Sequence, residues 1–218
     1  MKMVRAVALA TVIGAATADG LAAQPVIGFR LGLSMSKAST EFSDPDLATL
    51  EESSLTSFGG GGFIRFGAGM IALQPELMYV TKGVKFEDDA SDAEVKFKLD
   101  YIEVPVLLYF GLGAGTLSPY FVVGPAFSFE AKCSVEAELD GQSASEDCDD
   151  GGESDRKKLD IGGMVGAGLA FPAGPGSFII DGRYNHGFMN IVDDESEDEF
   201  KNRMFFFTAG YQIPLGIR

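Results

Sequence analysis

The sequence is poor in the residues on which most metal and acid/base chemistry depends. Its 218 residues include one His, two Cys and no Trp, so a four-ligand His/Cys zinc site cannot be assembled from one chain. Cations are scarce too. Lys and Arg number 17 against 32 Asp and Glu, a net charge of -15, which argues against nucleic acid as a partner because phosphate neutralisation needs clustered basic residues. Beyond the N-terminus no apolar run approaches the roughly 20 residues of a spanning helix, so any membrane crossing must use strands. Gly (28) and Phe (18) are plentiful, and the length suits one domain.

The first residues read as an export signal. Lys2 and Arg5 precede an apolar or small stretch over 6–16, and Leu21-Ala22-Ala23 offers small residues before Gln24. Residues 1–23 are expected to be a secretory signal peptide, cleaved after Ala23 with Ala18 as the alternative. This leaves 24–218 as the mature domain in an oxidising compartment. A retained anchor helix fits less well, since the apolar core is short and Asp19 and Gly20 follow it.

Acidic residues are concentrated rather than scattered. Segments 37–56, 86–95, 133–157 and 192–201 hold 25 of the 32 acids and four of the 17 basic residues. Three much shorter Gly- or Pro-containing breaks, at 67–70, 111–118 and 172–177, lie between them. Long and short connections thus alternate, the order an up-and-down sheet produces when all its long loops share one side.

Between connections the chain alternates with period two. In the first segment Ile27, Phe29, Leu31, Leu33 and Met35 oppose Gly28, Arg30, Gly32, Ser34 and Ser36. Similar patterns start at Ser57, Ile71, Tyr120, Leu159, Phe178 and Met204. In the fourth segment Leu99 and Tyr101 give way to Ile102, Val104, Val106 and Leu108 as the apolar set, which predicts a bulge near Tyr101. The result is eight strands and an all-β, eight-stranded antiparallel up-and-down barrel.

Face polarity separates a lipocalin-like soluble barrel from a transmembrane one. A soluble barrel turns its apolar face inward and a charged face outward. Here the second face is Gly, Ser, Ala and a few charges, too small and too sparsely charged for a solvated exterior, so it reads as the interior. The expected interior ions are Arg30, Arg65, Lys82, Lys98 and Arg183 with Glu76, Asp100, Glu103, Glu130, Asp160 and Asp181. Near-neutrality suits an enclosed network, because unpaired buried ions are costly. Tyr79, Tyr101, Phe129, Phe171, Phe178, Phe188 and Tyr211 are expected to form outward interfacial girdles.

Four motifs in order, Leu73-Gln74-Pro75-Glu76-Leu77-Met78-Tyr79 with Lys82-Gly83, Leu99-Asp100-Tyr101-Ile102-Glu103-Val104-Pro105, Pro119-Tyr120 with Gly124-Pro125, and Asp181-Gly182-Arg183-Tyr184 with Gly187, resemble the PorT-type outer-membrane β-barrel family. The resemblance covers nearly the whole mature chain. It implies an eight-stranded barrel in a Gram-negative outer membrane, partnered by lipid, lipopolysaccharide and the insertion machinery. It places Glu76, Glu103, Asp181 and Arg183 inward, and says little about activity. One departure is the chain end, Ile213-Pro214-Leu215-Gly216-Ile217-Arg218, where such strands commonly finish on an aromatic.

Cys133 and Cys148, in the longest acidic segment of an exported chain, are expected to form a structural disulfide; no Cys-x-x-Cys spacing suggests redox activity. Asp147, Asp149, Asp150, Glu153 and Asp155, and Asp193, Asp194, Glu195, Glu197, Asp198 and Glu199, offer hard oxygen donors for weak divalent cations. Lys158, however, stands where an EF-hand needs its bidentate Glu, and a solvated acidic surface is the preferred reading. His186 is the one residue through which a His-based mechanism would run, yet no Ser neighbours it in sequence. Glu76 and Glu103 as an acid/base pair would sit in a barrel too narrow for substrate. The expectation is therefore a non-enzymatic barrel without cofactor or metal, acting structurally or by binding and adhesion through its acidic loops. A lipid-modifying enzyme and a narrow ion pore are the alternatives.

Overall fold

Each alternating segment forms a β-strand in the computed structural model, which describes residues 24–41, 51–88, 93–113, 115–139, 142–148, 158–188 and 199–216. The strands are β1 (Val26–Glu41), β2 (Glu51–Ala68), β3 (Ile71–Asp88), β4 (Ala93–Gly111), β5 (Ser118–Leu139), β6 (Gln142–Asp147), β7 (Leu159–Ala173), β8 (Gly176–Gly187) and β9 (Glu199–Pro214). Eight of them follow the order β4-β3-β2-β1-β9-β8-β7-β5, and a β4–β5 pairing closes the sheet. All these pairings are antiparallel. The expected eight-stranded barrel is thus what the chain forms, and closure leaves no sheet edge in the lipid zone.

The short connections β2–β3, β4–β5 and β7–β8 share one end of the barrel with the start of β1 and the end of β9, which meet where Leu215 N–H donates to the Pro25 carbonyl (2.6 Å). Gly69 (φ 67°) and Gly174 (φ 58°) occupy the left-handed conformation that two of these turns demand. By the rule that short turns face the periplasm and long loops the exterior, the acidic connections point outward. Residues 1–23, expected as a signal peptide, and most of the acidic residues named above lie outside the described residues.

Sidedness follows the alternation. Phe29, Leu31 and Phe207 are 56 %, 65 % and 54 % exposed, whereas their sequence neighbours Arg30 and Phe206 are 0 % and 2 % exposed. Such a wide apolar exterior around enclosed charges is the inverse of a water-soluble barrel and matches one solvated by acyl chains. Inside, two apolar clusters fill the space. One gathers Phe63, Leu107, Tyr120, Val122 and Met164; the other, nearer the long loops, gathers Val80, Leu99, Tyr101, Cys133 and Met204.

The fourth segment corrects the sequence reading. β4 keeps its phase throughout, with Leu99, Tyr101, Glu103 and Leu107 all inward. The irregularity lies in its partner: Asp100 pairs with Lys132 but Tyr101 pairs with Glu130, so Ala131 of β5 is the extra residue. Tyr101, expected in the outer girdle, is therefore fully buried. Lys98 and Asp100, expected inside, belong to the outward face. Lys98 forms an ion pair with Glu136 (2.6 Å), and Asp100 accepts a hydrogen bond from Thr81 (2.6 Å). The apolar set changes parity along the sequence because the strand outgrows the bilayer: past Tyr101 its outer face meets water and turns polar.

The same bulge inverts the outer half of β5. Inward residues are Tyr120, Val122, Ala126 and Ser128 before it and Cys133 after it. Cys133 is joined to Cys148 across a Cα–Cα distance of 5.4 Å. A second correction concerns segment 133–157, read as a loop: its first half continues β5 and returns as β6, paired from Ser134↔Asp147 to Leu139↔Gln142. Lys132 Nζ lies 3.0 Å from Asp147 Oδ1, and that hydrogen bond holds the exposed ammonium above its ordinary pKa.

The disulfide closes a short loop, for which the chain-entropy model gives about 3 kcal/mol. The gain should be local to the hairpin. In Cys133→Ala/Cys148→Ala, amide exchange of β6 should accelerate by about two orders of magnitude, while amides of β1, β8 and β9 keep their protection. Uniform acceleration throughout the barrel would show instead that the bridge supports the whole fold.

Candidate functional site

The interior polar network is the most developed constellation among the described residues. Its centre is Asp181 of β8, which the alternation of that strand aims inward beside Arg183. Asp181 Oδ2 accepts from Arg30 Nη1 and from the Tyr120 hydroxyl (2.6 Å each), and its Oδ1 accepts from Thr208 Oγ1 (2.8 Å) and Arg183 Nε (2.9 Å). Arg183 reaches on to Glu76 of β3, with Nη1 donating to Oε2 (2.7 Å) and Nη2 to Oε1 (3.2 Å). Arg30 Nη2 also lies 3.7 Å from Glu76 Oε1. Two guanidinium groups thus bridge two carboxylates contributed by β3 and β8, with β1 supplying Arg30.

Nearer the long loops, Lys82 Nζ lies 2.8 Å from Glu103 Oε2 and 3.8 Å from Asp160 Oδ2. Glu103 Oε2 accepts further hydrogen bonds from Ser128 (2.8 Å) and Asn185 (2.9 Å). Nearer the short turns, Arg65 donates through Nε to Gln74 Oε1 (2.7 Å) and through Nη2 to Gln212 Oε1 (3.0 Å). Its guanidinium carbon lies 3.6 Å from the Tyr109 ring centroid, a cation–π contact. Gln74 in turn donates to Glu76 Oε1 (2.6 Å).

Of the residues expected inside, the structure encloses Arg30, Arg65, Glu76, Lys82, Glu103, Asp160, Asp181 and Arg183. Glu130 is half-buried at the bulge, and Lys98 and Asp100 face outward. Among the described residues the buried charges therefore number four of each sign. Balance matters here because an ion removed from water is tolerated only with partners.

Sequence reasoning missed the neutral members: Tyr120, Thr208, Gln74, Gln212, Ser128 and Asn185. All lie on inward positions of their strands, so the signal was present. Counting charges alone passes over hydroxyl and amide side chains that complete the hydrogen bonding of a carboxylate.

Such an arrangement suits rigidity better than chemistry. Each carboxylate of the central group is held by several donors, and the adjoining space is taken by Phe63, Leu107 and Met164. His186 stands on the outward phase of β8, where its Nδ1 lies 3.4 Å from the Tyr184 hydroxyl and its ring meets those of Tyr184 and Phe188. Among the described residues no Ser is hydrogen-bonded to it, and no group of three or more His, Cys, Asp or Glu is placed to hold a metal. The acidic residues proposed for divalent cations, Asp147 and Glu199 apart, lie outside the described residues.

A family model for the outer membrane protein β-barrel domain matches residues 22–193. No curated protein sequence matches the chain. Among solved structures, the attachment invasion locus protein Ail of Yersinia pestis is similar at 17 % identity and TM-score 0.45, covering 87 % of this chain and 99 % of that one. The outer membrane protein OprG of Pseudomonas aeruginosa is similar at 11 % identity and TM-score 0.48, over 88 % and 97 %. The outer membrane protease OmpT of Escherichia coli is similar at 9 % identity and TM-score 0.40, over 88 % and 96 %.

Proposed function

Since the chain belongs to the outer membrane protein β-barrel domain family, we propose that it is a non-enzymatic, non-conducting outer-membrane protein that binds at the cell surface through its acidic connections. Within the family, the motifs from Leu73 to Gly83 and from Asp181 to Gly187 support a PorT-type member. Export by removal of residues 1–23 is part of the same proposal.

One observation carries this reading. A tilted strand needs about 9–11 residues to cross a bilayer, yet β3, β4 and β5 have 18, 19 and 22. They remain paired through Val84↔Phe97 and Lys98↔Ser134 into the outer region. A barrel that served only as an anchor has no use for this projecting sheet, whereas a binding protein needs a firm base for its loops. The packed interior supports the absence of a pore, as an eight-stranded cylinder has room for little beyond its own side chains.

The charge names the partner class. Loops so rich in carboxylates attract polycations directly, and anionic lipopolysaccharide only through bridging divalent cations. Liposomes carrying the protein should be retained on polylysine-coated surfaces. A variant with Asp and Glu of 149–155 and 193–198 changed to Asn and Gln should lose most of that retention. Retention equal to that of the parent would overturn the reading. EDTA separates the two routes, since it abolishes only the cation-bridged one.

A further inference from the structure

We propose that the periplasmic mouth of the barrel is a binding site for a small oxyanion, a carboxylate or a phosphate, with Arg65 as its anchor. Three of the four enclosed cations, Arg30, Lys82 and Arg183, have carboxylate oxygens within 4 Å. Arg65 is 8 % exposed, and the partners the structure gives it are neutral: the Gln74 and Gln212 amides and the rings of Tyr109 and Phe63. Gln74 stands between Arg65 and the nearest carboxylate, passing its own N–H to Glu76. The network thus stops one ion short at this end.

The unmatched charge adjoins open space. A cavity of ≈ 530 Å³ opens at the short-turn end, lined by Arg65 and Tyr109 with Gln24, Val26 and a rim of glycines that includes Gly67 and Gly111. With Nε and Nη2 engaged, Nη1 donates to no described residue. Arg65 lines the cavity, so this free edge of the fork is the one left for a ligand there. A guanidinium held by neutral groups in low dielectric gains most from an incoming oxyanion, which it grips through short charge-assisted hydrogen bonds. Tyr109 fixes the plane of the fork, so little side-chain entropy remains to be lost on binding. The volume is within the range of small-ligand pockets, and the lining places the cavity at the short-turn end of the barrel.

The test uses the mature protein refolded in detergent micelles and labelled with ¹⁵N-arginine. The Arg65 Nε–H resonance is identified by its loss in Arg65→Lys. Sodium phosphate and, in a separate series, sodium acetate are titrated against sodium chloride at constant ionic strength. The expected result is a saturable shift of the Arg65 signal with phosphate, acetate or both, while the Arg30 and Arg183 signals hold still; which anion acts identifies the ligand class. In Arg65→Lys, which keeps the charge but not the fork, the Tyr109 ring signals should show a weaker saturable response, and in Arg65→Gln none. The proposal is overturned if chloride gives the same shift, if no shift saturates, or if the Tyr109 response survives in Arg65→Gln.

Discussion

Arg183→Ala should lower the unfolding free energy of the membrane-inserted barrel by about 3–5 kcal/mol, the range for breaking a buried ion pair from one side. The guanidinium touches both central carboxylates, Asp181 through Nε (2.9 Å) and Glu76 through Nη1 (2.7 Å). Its removal leaves Glu76 with Arg30 at 3.7 Å as its remaining cation, in surroundings that include Phe63 and Met164. The loss lies less in the attraction forgone than in the ion left behind. Arg183→Ala combined with Glu76→Gln should therefore recover part of the stability that Arg183→Ala removes, since it also removes that charge. Urea titration of the proteins folded into liposomes measures both. A change below about 0.5 kcal/mol for Arg183→Ala, the size of an ordinary surface substitution, would mean that the side chain is not enclosed.

Leu31→Arg acts on the opposite face and should cost about 2–4 kcal/mol, as charged residues do near the bilayer midplane. Leu31 is the third of five outward apolar residues from Ile27 to Met35 and is 65 % exposed. In a water-soluble barrel an Arg at so open a site would be nearly silent; surrounded by acyl chains it must stretch toward the headgroups or thin the bilayer. The effect should diminish for the same substitution at Ile27 or Met35, nearer the two interfaces. Equal, small costs at all three positions would indicate an aqueous exterior and would remove the membrane assignment with it.

These two expectations rest on features that are legible in the sequence to very different degrees. Strict alternation in Ile27–Ser36 and Phe178–Asn185 assigns each side chain to a face from the linear order alone, because a strand has only two faces and lipid rewards apolar surface on the outer one. That is why Arg30, Glu76, Asp181 and Arg183 could be named as interior residues. The order of long acidic and short Gly- or Pro-containing connections likewise specifies the up-and-down topology and the ends at which the loops lie.

Alternation failed where its premise stopped applying. Above Tyr101 the strands leave the bilayer, water replaces lipid, and outward positions such as Lys98 and Asp100 become polar while inward Leu99 and Tyr101 stay apolar. Read as chemistry, this looks like a bulge in β4. Only the register across β4 and β5 places the extra residue at Ala131, and only that bulge turns Cys133 inward toward its disulfide. The hairpin made by β6 was hidden for a related reason: Ala144–Asp147 are exposed on both faces, and a strand wet on both sides has no apolar face, so periodicity carries no signal.

The partnership of the charges was equally beyond the linear order. Which ions are enclosed depends on residue parity along each strand and can be read locally. Which carboxylate meets which cation depends on the stagger of strands up to 151 residues apart, and closure of the cylinder sets that stagger. The chain's own residues thus determine a lipid-facing barrel with a charged interior, through a two-residue period that needs no partner to be read. Arg65 left facing an open mouth with neutral neighbours is decided by the closed sheet alone, because an ion is paired or unpaired through distances across the lumen that no spacing in the sequence encodes.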